Sequence, residues 1–272
     1  MAHWVVPVKP TPATPSPAST LVLLRNRPGA DVDVLLIQRH RASKFAAGDY
    51  VFPGGKIEID DNPPDAAAWC AGLDGARAAH VLGLDGDRSR ALGYWIGAIR
   101  ESFEEVGVLL AYGPDGAPAR VDDARFADYR RACHADNRAF WDMLRAERLR
   151  LATDQLVYFA HWITPEERPI RFDTRFFAAP MPAGQEAVAD DNEIIDVRWL
   201  TPSDAFAALD RQEISLRTPT QKNLALFERA PTVVEALARL DGRVVSTVRP
   251  RLVIDAQGGD QRSLMPGDPG YH

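Results

Sequence analysis

The chain is 272 residues long and 46% hydrophobic, which is enough to bury a sizeable core in one elaborated domain. Its 32 basic and 38 acidic residues give a formal net charge of -6, so the basic face that a nucleic-acid binder needs is not expected. Two cysteines without metal-type spacing, no apolar run of about 20 residues and no signal-like start predict a cytoplasmic protein without a disulfide framework or membrane span.

The first segment is rich in proline. Residues 7–17 read PVKPTPATPSP, and prolines remove backbone donors and favour extended, solvated chain, so residues 1–19 are predicted to form a flexible arm. The β-prone runs TLVLLRN and DVDVLLIQRH follow and are separated by Pro28-Gly29, which predicts a hairpin. The domain proper is predicted to span residues 20–250, followed by a loop-like C-terminal tail over residues 251–272.

The central part of the sequence alternates between loop and helix signals. GDYVFPGGK predicts a strand that enters a tight glycine loop, and the Asp-, Pro-, Ala- and Gly-rich residues 62–90 are interpreted as an insertion with a short helix around residues 65–71. Apolar residues at spacings of three and four predict an amphipathic helix over residues 91–110, with Gly107 near its end. Accessory helices are predicted over residues 122–150.

Three more strands are predicted from β-prone segments that are closed by proline. They are QLVYFAHWITP, RFDTRFFAAPMP and EIIDVRWLTP. Helices are predicted at residues 203–209 with Ser203 as the cap, from about Pro219, and at residues 233–240. Strands mixed with helices predict an α+β or α/β sandwich.

One helical stretch carries a group of acids. Glu101, Glu104 and Glu105 stand at positions i, i+3 and i+4, so their carboxylates project from one helix face. Each like-charge pair at this spacing costs on the order of 0.2–0.5 kcal/mol, and a hard divalent cation would reverse that sign. A solvated acidic face and a magnesium or manganese site are the two interpretations.

The pattern around these glutamates resembles the Nudix box, G-x5-E-x7-R-E-U-x-E-E-x-G-U, where U is aliphatic. In the first half, Gly55 matches the glycine and Asp61 falls where the motif has glutamate. Ser102 stands at a usually aliphatic position, and 38 residues rather than seven separate Asp61 from the motif arginine. An insertion is tolerated if its ends lie close together. The second half matches at Arg100, Glu101, Glu104, Glu105, Gly107 and Val108.

The resemblance implies an α+β fold, a Nudix-type α/β/α sandwich with a mixed β-sheet and added helices, and a hydrolase in which metal-activated water attacks a diphosphate. It implies Mg²⁺ or Mn²⁺ as cofactor, and it leaves open which glutamate is the general base. Arg100 would orient the carboxylates. Glu193 is the candidate for a further metal ligand, with an exposed loop acid as the alternative. The other implied metal ligands are the carbonyl of Gly54 and the side chains of Glu101, Glu104 and Glu105.

The segment from Leu35 to Gly55 resembles the additional motif of coenzyme A diphosphatases, LLTxR(S/A)xxxRxxxGxxxFPGG, with departures at Ile37 and His40. The segment RFDTRFFAA, residues 171–179, resembles sequences of the Nudix group that has a long insertion in the box. The alternative role for Arg39 and Lys44, the two cations of the motif, is surface charge at the end of a strand. The candidate substrate-binding residues are Arg39, Lys44 (in place of the second motif arginine), Gly55 and Lys56.

These resemblances imply hydrolysis of coenzyme A or an acyl-coenzyme A to 3',5'-adenosine diphosphate and a 4'-phosphopantetheine product. An adenosine diphosphate ribose or dinucleotide pyrophosphatase is the alternative within the same chemistry. A non-catalytic nucleotide sensor on the same fold is the alternative of another class. The expected partner is a small nucleoside diphosphate derivative, without nucleic acid or membrane, and the sequence leaves the oligomeric state open.

Overall fold

The computed structural model describes residues 4–5, 11–43, 45–255 and 261–271. Short 3-10 turns lie at Ile59–Asp61, Ala66–Trp69, Thr153–Gln155 and Ala225–Phe227. The strands are β1 (Trp4–Val5), β2 (Ser16–Arg25), β3 (Asp33–Arg39), β4 (Tyr50–Val51), β5 (Gly54–Lys56), β6 (Ala111–Tyr112), β7 (Arg150–Leu151), β8 (Val157–Ile163), β9 (Phe172–Pro180), β10 (Ile194–Leu200), β11 (Thr247–Val248), β12 (Arg251–Asp255) and β13 (Gln261–Leu264). The helices are α1 (Gly75–Leu82), α2 (Arg88–Val106), α3 (Ala124–Ala135), α4 (Arg138–Glu147), α5 (Pro202–Asp210), α6 (Thr218–Leu224) and α7 (Val233–Ala238).

A mixed sheet forms the centre of the molecule, in the order β10-β3-β2-β9-β8-β11, with β4 beside β3 and β5 beside β2. Strands β2 and β9 run parallel along nine residue pairs, and β11 is parallel to β8. Strand β10 is antiparallel to β3, and β8 to β9. The predicted hairpin of β2 and β3 is present, although the two strands pair directly only near the turn.

Both faces of the sheet are buried, as the alternation along β2 shows. Leu21 and Leu23 contact the core on the side of α2, whereas Val22 and Leu24 contact the core on the opposite side. Helices α1, α3 and α4 contribute to the first core, and α5, α6 and α7 to the second. A strand that is apolar on both faces requires a layer on each side, so the fold is an α/β/α sandwich.

Helix α2 begins and ends with local capping. The Asp87 side chain accepts a hydrogen bond from the Arg90 amide at the N-terminus. Gly107 ends the helix in the left-handed conformation at φ 71°, where its amide donates to the Phe103 carbonyl. The helix therefore stops at Val106, short of the predicted end at residue 110, because Gly107 takes a conformation that the helix cannot continue.

The insertion within the box is folded. Its 3-10 turn matches the predicted short helix, but α1, capped by Asp74 and ended by Gly83, was not predicted. The insertion also pairs with β7 at its far end, since the Ala71 amide donates to the Leu151 carbonyl over 2.9 Å. The Asp- and Gly-rich sequence of this region consists in part of helix caps.

Other predicted boundaries differ from the structure. Strand β2 begins at Ser16, inside the predicted flexible arm, because the Ser16 amide donates to the Arg171 carbonyl and the parallel pairing with β9 starts there. Thr201 rather than Ser203 caps α5, because Pro202 is the first helical residue and the Thr201 hydroxyl accepts from the Asp204 amide. The C-terminal segment is not only loop, since β12 and β13 pair with each other and β12 pairs with β1. Within the described residues, no helix is long and apolar enough to cross a membrane.

Candidate active site

The three predicted glutamates lie on the second half of α2 and face the glycine loop of β5. We call Glu101, Glu104 and Glu105 the carboxylate cluster. Glu104 and Glu105 are buried, and the Glu101 side chain is 15% exposed. The opposite side of α2, which includes Phe103 and Val106, lies in the core. Core packing of the helix therefore presents the acids to the loop at their i, i+3 and i+4 spacing.

Arg100 is buried among these acids and joins both halves of the box. Its Nε and Nη2 donate to the two oxygens of Asp61 over 2.8 and 3.1 Å. Its Nη1 donates to Glu104 over 2.7 Å and lies 3.0 Å from Glu101. Nη2 also donates to the Lys56 carbonyl over 2.9 Å. One guanidinium thus fixes two carboxylates of the cluster and closes the ends of the insertion against each other.

The glycines of the loop are required by close approach. A Cβ at Gly55 would overlap the Glu101 carboxylate, and a Cβ at Gly54 would overlap the backbone of Ser19 and Thr20 on β2. The Gly54 amide donates to Glu105 over 2.8 Å. The Gly54 carbonyl, which the resemblance makes a metal ligand, belongs to a backbone that is already fixed beside the cluster.

Two residues from other elements reach the same place. Arg39, at the end of β3, donates through Nη1 to Glu105 over 3.1 Å, and its Nη2 lies 3.6 Å from the Glu193 carboxylate. Glu193 immediately precedes β10, and its side chain is 61% exposed. The structure therefore brings both residues to the edge of the carboxylate cluster, with the Arg39 guanidinium between the two acids.

Burial makes the ionised cluster unfavourable on its own. Desolvation is the largest cause for all three glutamates: it raises the pKa of Glu101, raises that of Glu104 to about 8 and raises that of Glu105 well above its ordinary value. Arg100 opposes the shift at Glu101 and Glu104, and Arg39 opposes it at Glu105. Two arginines do not compensate for the acids gathered here, so the site has an excess of buried negative charge.

Not every predicted site residue lies inside the cluster. The Lys56 side chain is exposed, although its carbonyl binds Arg100. Lys44 lies outside the described residues. Among the described residues, no three His, Cys, Asp or Glu side chains have the spacing of a closed metal site; arginines engage the carboxylate oxygens instead. A cavity of about 680 Å³ lies between the segment 59–64 and α4, beside the loop that carries Asp61 rather than over the carboxylates.

Sequence reasoning did not select three residues that the structure adds to this region. Asp61 is the bidentate partner of Arg100, and its place at the motif glutamate was the available signal. Arg130 on α3 donates through Nε to the Glu104 carbonyl over 2.8 Å. Asp190 organises the turn before Glu193. The last two have no motif and were brought here by tertiary packing alone.

A mixed sheet between helical layers, with a buried glutamate-rich helix facing a glycine loop, is the arrangement of the Nudix hydrolases. Residues 89–226, just over half of the chain, match the family model described as NUDT19 Nudix domain, and the chain belongs to that family. Nudix hydrolases generally need divalent metal ions and act on nucleoside diphosphate derivatives. The fold predicted from the sequence and the recognition of the Nudix family are confirmed.

Relatives of known description match over much of the chain. The acyl-coenzyme A diphosphatase NUDT19 of Gallus gallus is 27% identical over 249 residues, which cover 74% of this chain and 65% of the relative. The protein of the same name from Homo sapiens is 26% identical over 305 residues, covering 99% of this chain and 78% of the relative. The chain thus spans just under two thirds of the length of the chicken relative.

Among solved structures, a NUDIX hydrolase from Alicyclobacillus acidocaldarius has a TM-score of 0.68 with this chain at 22% identity. The alignment covers 85% of this chain and 99% of that protein. At this identity the likeness shows the fold.

Proposed function

We propose that the protein hydrolyses the diphosphate bond of coenzyme A or an acyl-coenzyme A, giving 3',5'-adenosine diphosphate and a 4'-phosphopantetheine product. The observation that carries this proposal is the carboxylate cluster, buried beside the Gly54-Gly55 loop with more acid than the two arginines balance. The printed names of the relatives supply the substrate class. The resemblance of the segment upstream of Gly55 to the coenzyme A diphosphatase motif points in the same direction.

The residues present fit a divalent cation. The Glu104 Oε1 atom is buried and has no hydrogen-bond partner among the described residues, so a ligand position remains available. The absence of a Cβ at Gly55 lets the Glu101 carboxylate pack directly against the glycine loop. The donors are carboxylate and carbonyl oxygens, which Mg²⁺ and Mn²⁺ prefer. We propose one of these two ions as the cofactor, with Glu101, Glu104, Glu105, the Gly54 carbonyl and Glu193 as its ligands.

When bound, the cation would lower the pKa of a water molecule and neutralise charge that develops on the diphosphate. The chain's own residues prepare the site for this chemistry. Arg100 holds Glu101 and Glu104 in place, and the Gly54 amide holds Glu105. Fixed donors and carboxylates avoid reorganisation during the reaction.

Substrate contacts are proposed for the cations around the cluster. Arg39 stands beside Glu105, and its Nε has no partner among the described residues, so a phosphate group at the cluster edge would lie within its reach. The exposed Lys56 side chain is next to the glycine loop. Lys44 is proposed on the motif resemblance alone. The Arg39 guanidinium and the Lys56 ammonium group suit the 3'-phosphate and diphosphate of coenzyme A.

The test is turnover of coenzyme A, an acyl-coenzyme A, adenosine diphosphate ribose and a reduced dinucleotide, each with Mg²⁺ or Mn²⁺, followed by chromatographic identification of products. The wild-type protein is compared with Glu104→Gln and with Glu228→Gln, which changes an exposed glutamate away from the cluster. We expect 3',5'-adenosine diphosphate from the coenzyme A substrates. Glu104→Gln should lose about 100-fold or more in rate, a typical loss on removing a fixed catalytic electrostatic group, whereas Glu228→Gln should match the wild type.

The other outcomes separate the alternatives. Cleavage of adenosine diphosphate ribose or the dinucleotide alone would overturn the substrate assignment and retain the diphosphatase chemistry. Binding of these nucleotides without any product would identify a sensor. Equal turnover by the wild type and Glu104→Gln would remove the carboxylate cluster from the mechanism.

A further inference from the structure

The turn between β9 and β10 is organised by one buried acid. Asp190 Oδ1 accepts hydrogen bonds from three successive amides, those of Asn192, Glu193 and Ile194, over 3.3, 3.2 and 2.8 Å. The Asp190 side chain is only 4% exposed. An aspartate that binds the amides following it stabilises a turn that the backbone would not hold alone.

The same turn contains a residue in an uncommon conformation. Asp191 has a φ of 63°, in the left-handed region, and its amide donates to the Ile194 carbonyl over 3.0 Å. Backbone conformations of this kind persist where surrounding contacts fix them, and they are concentrated at functional sites. The contacts made by Asp190 are what fix this turn.

The turn delivers Glu193 to the carboxylate cluster. The Glu193 carbonyl accepts from the His40 amide over 2.7 Å, which ties its backbone to the end of β3. Its carboxylate lies 3.6 Å from the Arg39 guanidinium, and that guanidinium also binds Glu105. Apart from these contacts with His40 and Arg39, the Glu193 side chain is exposed, so its direction depends on the turn that Asp190 organises.

Helix α3, in the helical layer on the α2 side of the sheet, supports the turn. His134 Nε2 lies 3.7 Å from Asp190 Oδ2. One turn earlier in the helix, Arg130 donates to the Glu104 carbonyl on α2. Because α3 contacts both places, it holds the turn at a fixed separation from the last turn of α2, where the glutamates are.

We propose that Asp190 is a positioning residue that directs Glu193 toward the metal-binding carboxylates, and that α3 braces it there. This inference rests on the proposed function, in which Glu193 supplies a further metal ligand. Asp190 itself acts through its hydrogen bonds to the turn amides. Geometry at position 190, rather than its negative charge, is then the quantity that matters.

The experiment measures Mn²⁺ affinity of the full chain by calorimetry, without substrate, for the wild type, Asp190→Ala, Asp190→Asn, Glu193→Gln and the double variant Asp190→Ala/Glu193→Gln. Asp190→Ala should weaken Mn²⁺ binding about 10- to 100-fold, as loss of an outer-shell partner does. Glu193→Gln, which removes the proposed ligand itself, should weaken it at least as much. The double variant should bind Mn²⁺ no more weakly than Glu193→Gln, because both substitutions act through the same ligand, the Glu193 carboxylate. Asp190→Asn should stay within about threefold of the wild type, since its amide oxygen keeps an acceptor in the place of Oδ1, to which the three turn amides donate.

Asp191→Asn is the control for charge, because it removes a neighbouring acid and keeps a residue that tolerates positive φ. It should bind Mn²⁺ like the wild type. Equal losses in Asp190→Asn and Asp190→Ala would show that charge acts rather than position, and would overturn the inference. So would wild-type affinity in Asp190→Ala or Glu193→Gln, or an additive loss in the double variant.

Thermal unfolding of each variant shows whether it is folded. If Asp190→Ala is not folded, a loss of Mn²⁺ affinity in Asp190→Asn beyond about threefold still overturns the inference. The failure of the proposed function looks different from the failure of this inference. Expected Mn²⁺ affinities with no turnover of any diphosphate would reject the function and retain the positioning role. Turnover of coenzyme A with unchanged Mn²⁺ affinity in all variants would retain the proposed function and reject the positioning role of Asp190.

Discussion

Two clusters of charged side chains are buried against the same helix, and they differ in balance. Near the middle of the sheet, Asp173, Arg175 and His161 bind one another beneath Tyr94 of the first half of α2, with 2.6 Å between His161 Nε2 and Asp173 Oδ1. Beneath the second half of α2, Arg100 and Arg39 face the carboxylate cluster together with Asp61. The first cluster pairs its acid with cationic or neutral partners, whereas the second has more acids than cations.

The difference shows in the direction of the pKa shifts. Desolvation is the largest influence on Asp173 and acts to raise its pKa, but His161 and Arg175 together hold that pKa below its ordinary value. Burial likewise raises the pKa of Glu104, and there Arg100 does not outweigh it. Burial alone therefore does not distinguish a structural cluster from a functional one. Buried acids that outnumber the cationic side chains around them indicate a site that would bind a cation from outside the chain.

The largest effect should come from removing Arg100, the more deeply buried of the two arginines at the acidic cluster. Arg100→Gln leaves buried carboxylates without their partner, and we expect the free energy of unfolding to fall by about 3–5 kcal/mol. Chemical denaturation measures this loss. Arg211→Gln, which breaks an exposed pair with Glu213, should leave the free energy of unfolding close to the wild-type value. Equal losses in the two variants would contradict the buried role of Arg100.

A break in the balanced cluster should lower stability without changing the chemistry. Asp173→Asn removes the acid that faces buried Arg175 and His161, and we expect a loss of about 3 kcal/mol in unfolding free energy. The rate of diphosphate hydrolysis, measured well below the unfolding midpoint, should stay at the wild-type value. A large fall in rate in the folded variant would mean that this cluster, too, belongs to the active site.

Addition of a divalent cation should reverse the pH dependence of the acidic cluster. Because the pKa of Glu104 is raised from 4.5 to about 8, the metal-free folded state binds more protons than the unfolded state between these values, so its stability should fall as pH rises through that window. Mn²⁺ at a fixed concentration of about 100 times its Kd at pH 8 should raise Tm by about 5–10 °C at that pH. The rise should be larger at pH 8 than at pH 6, as measured by thermal unfolding with and without chelator; an equal rise at both values would contradict the prediction.

The smallest expected effect is on the stability of Glu104→Gln, a variant that should lose activity. Glu104→Gln removes an ionised, desolvated acid at pH 9, so the metal-free variant should be more stable than the wild type by about 1 kcal/mol there. At pH 6 the advantage of the variant should be smaller, because the wild type loses stability as the pH rises from 4.5 to about 8 and glutamine does not titrate. Thermal unfolding at both pH values checks the sign. A variant less stable than the wild type at pH 9 would show that Glu104 is already compensated without metal.

Local patterns were enough for the parts of the molecule that depend on short-range chemistry. The spacing of apolar residues placed α2, and the positive-φ glycine at its end set the boundary. The β-prone runs located the strands of the central sheet, although not the parallel partner of β2. Helix α1 was missed because it is short and its caps, Asp74 and Gly83, resemble loop residues. Short strands such as β1 depend on pairing with distant chain and give little local signal.

The sequence by itself determined that three glutamates share one helix face, that a glycine loop precedes them, and that the pattern is of the Nudix type. Those features rest on helix periodicity and residue type, which neighbouring residues fix. Only the tertiary structure decided that Asp61 reaches Arg100 across the insertion, that Arg39 stands between Glu105 and Glu193, and that α3 braces Asp190. Contacts between residues far apart in the chain follow from how the layers pack, and no local pattern contains that information.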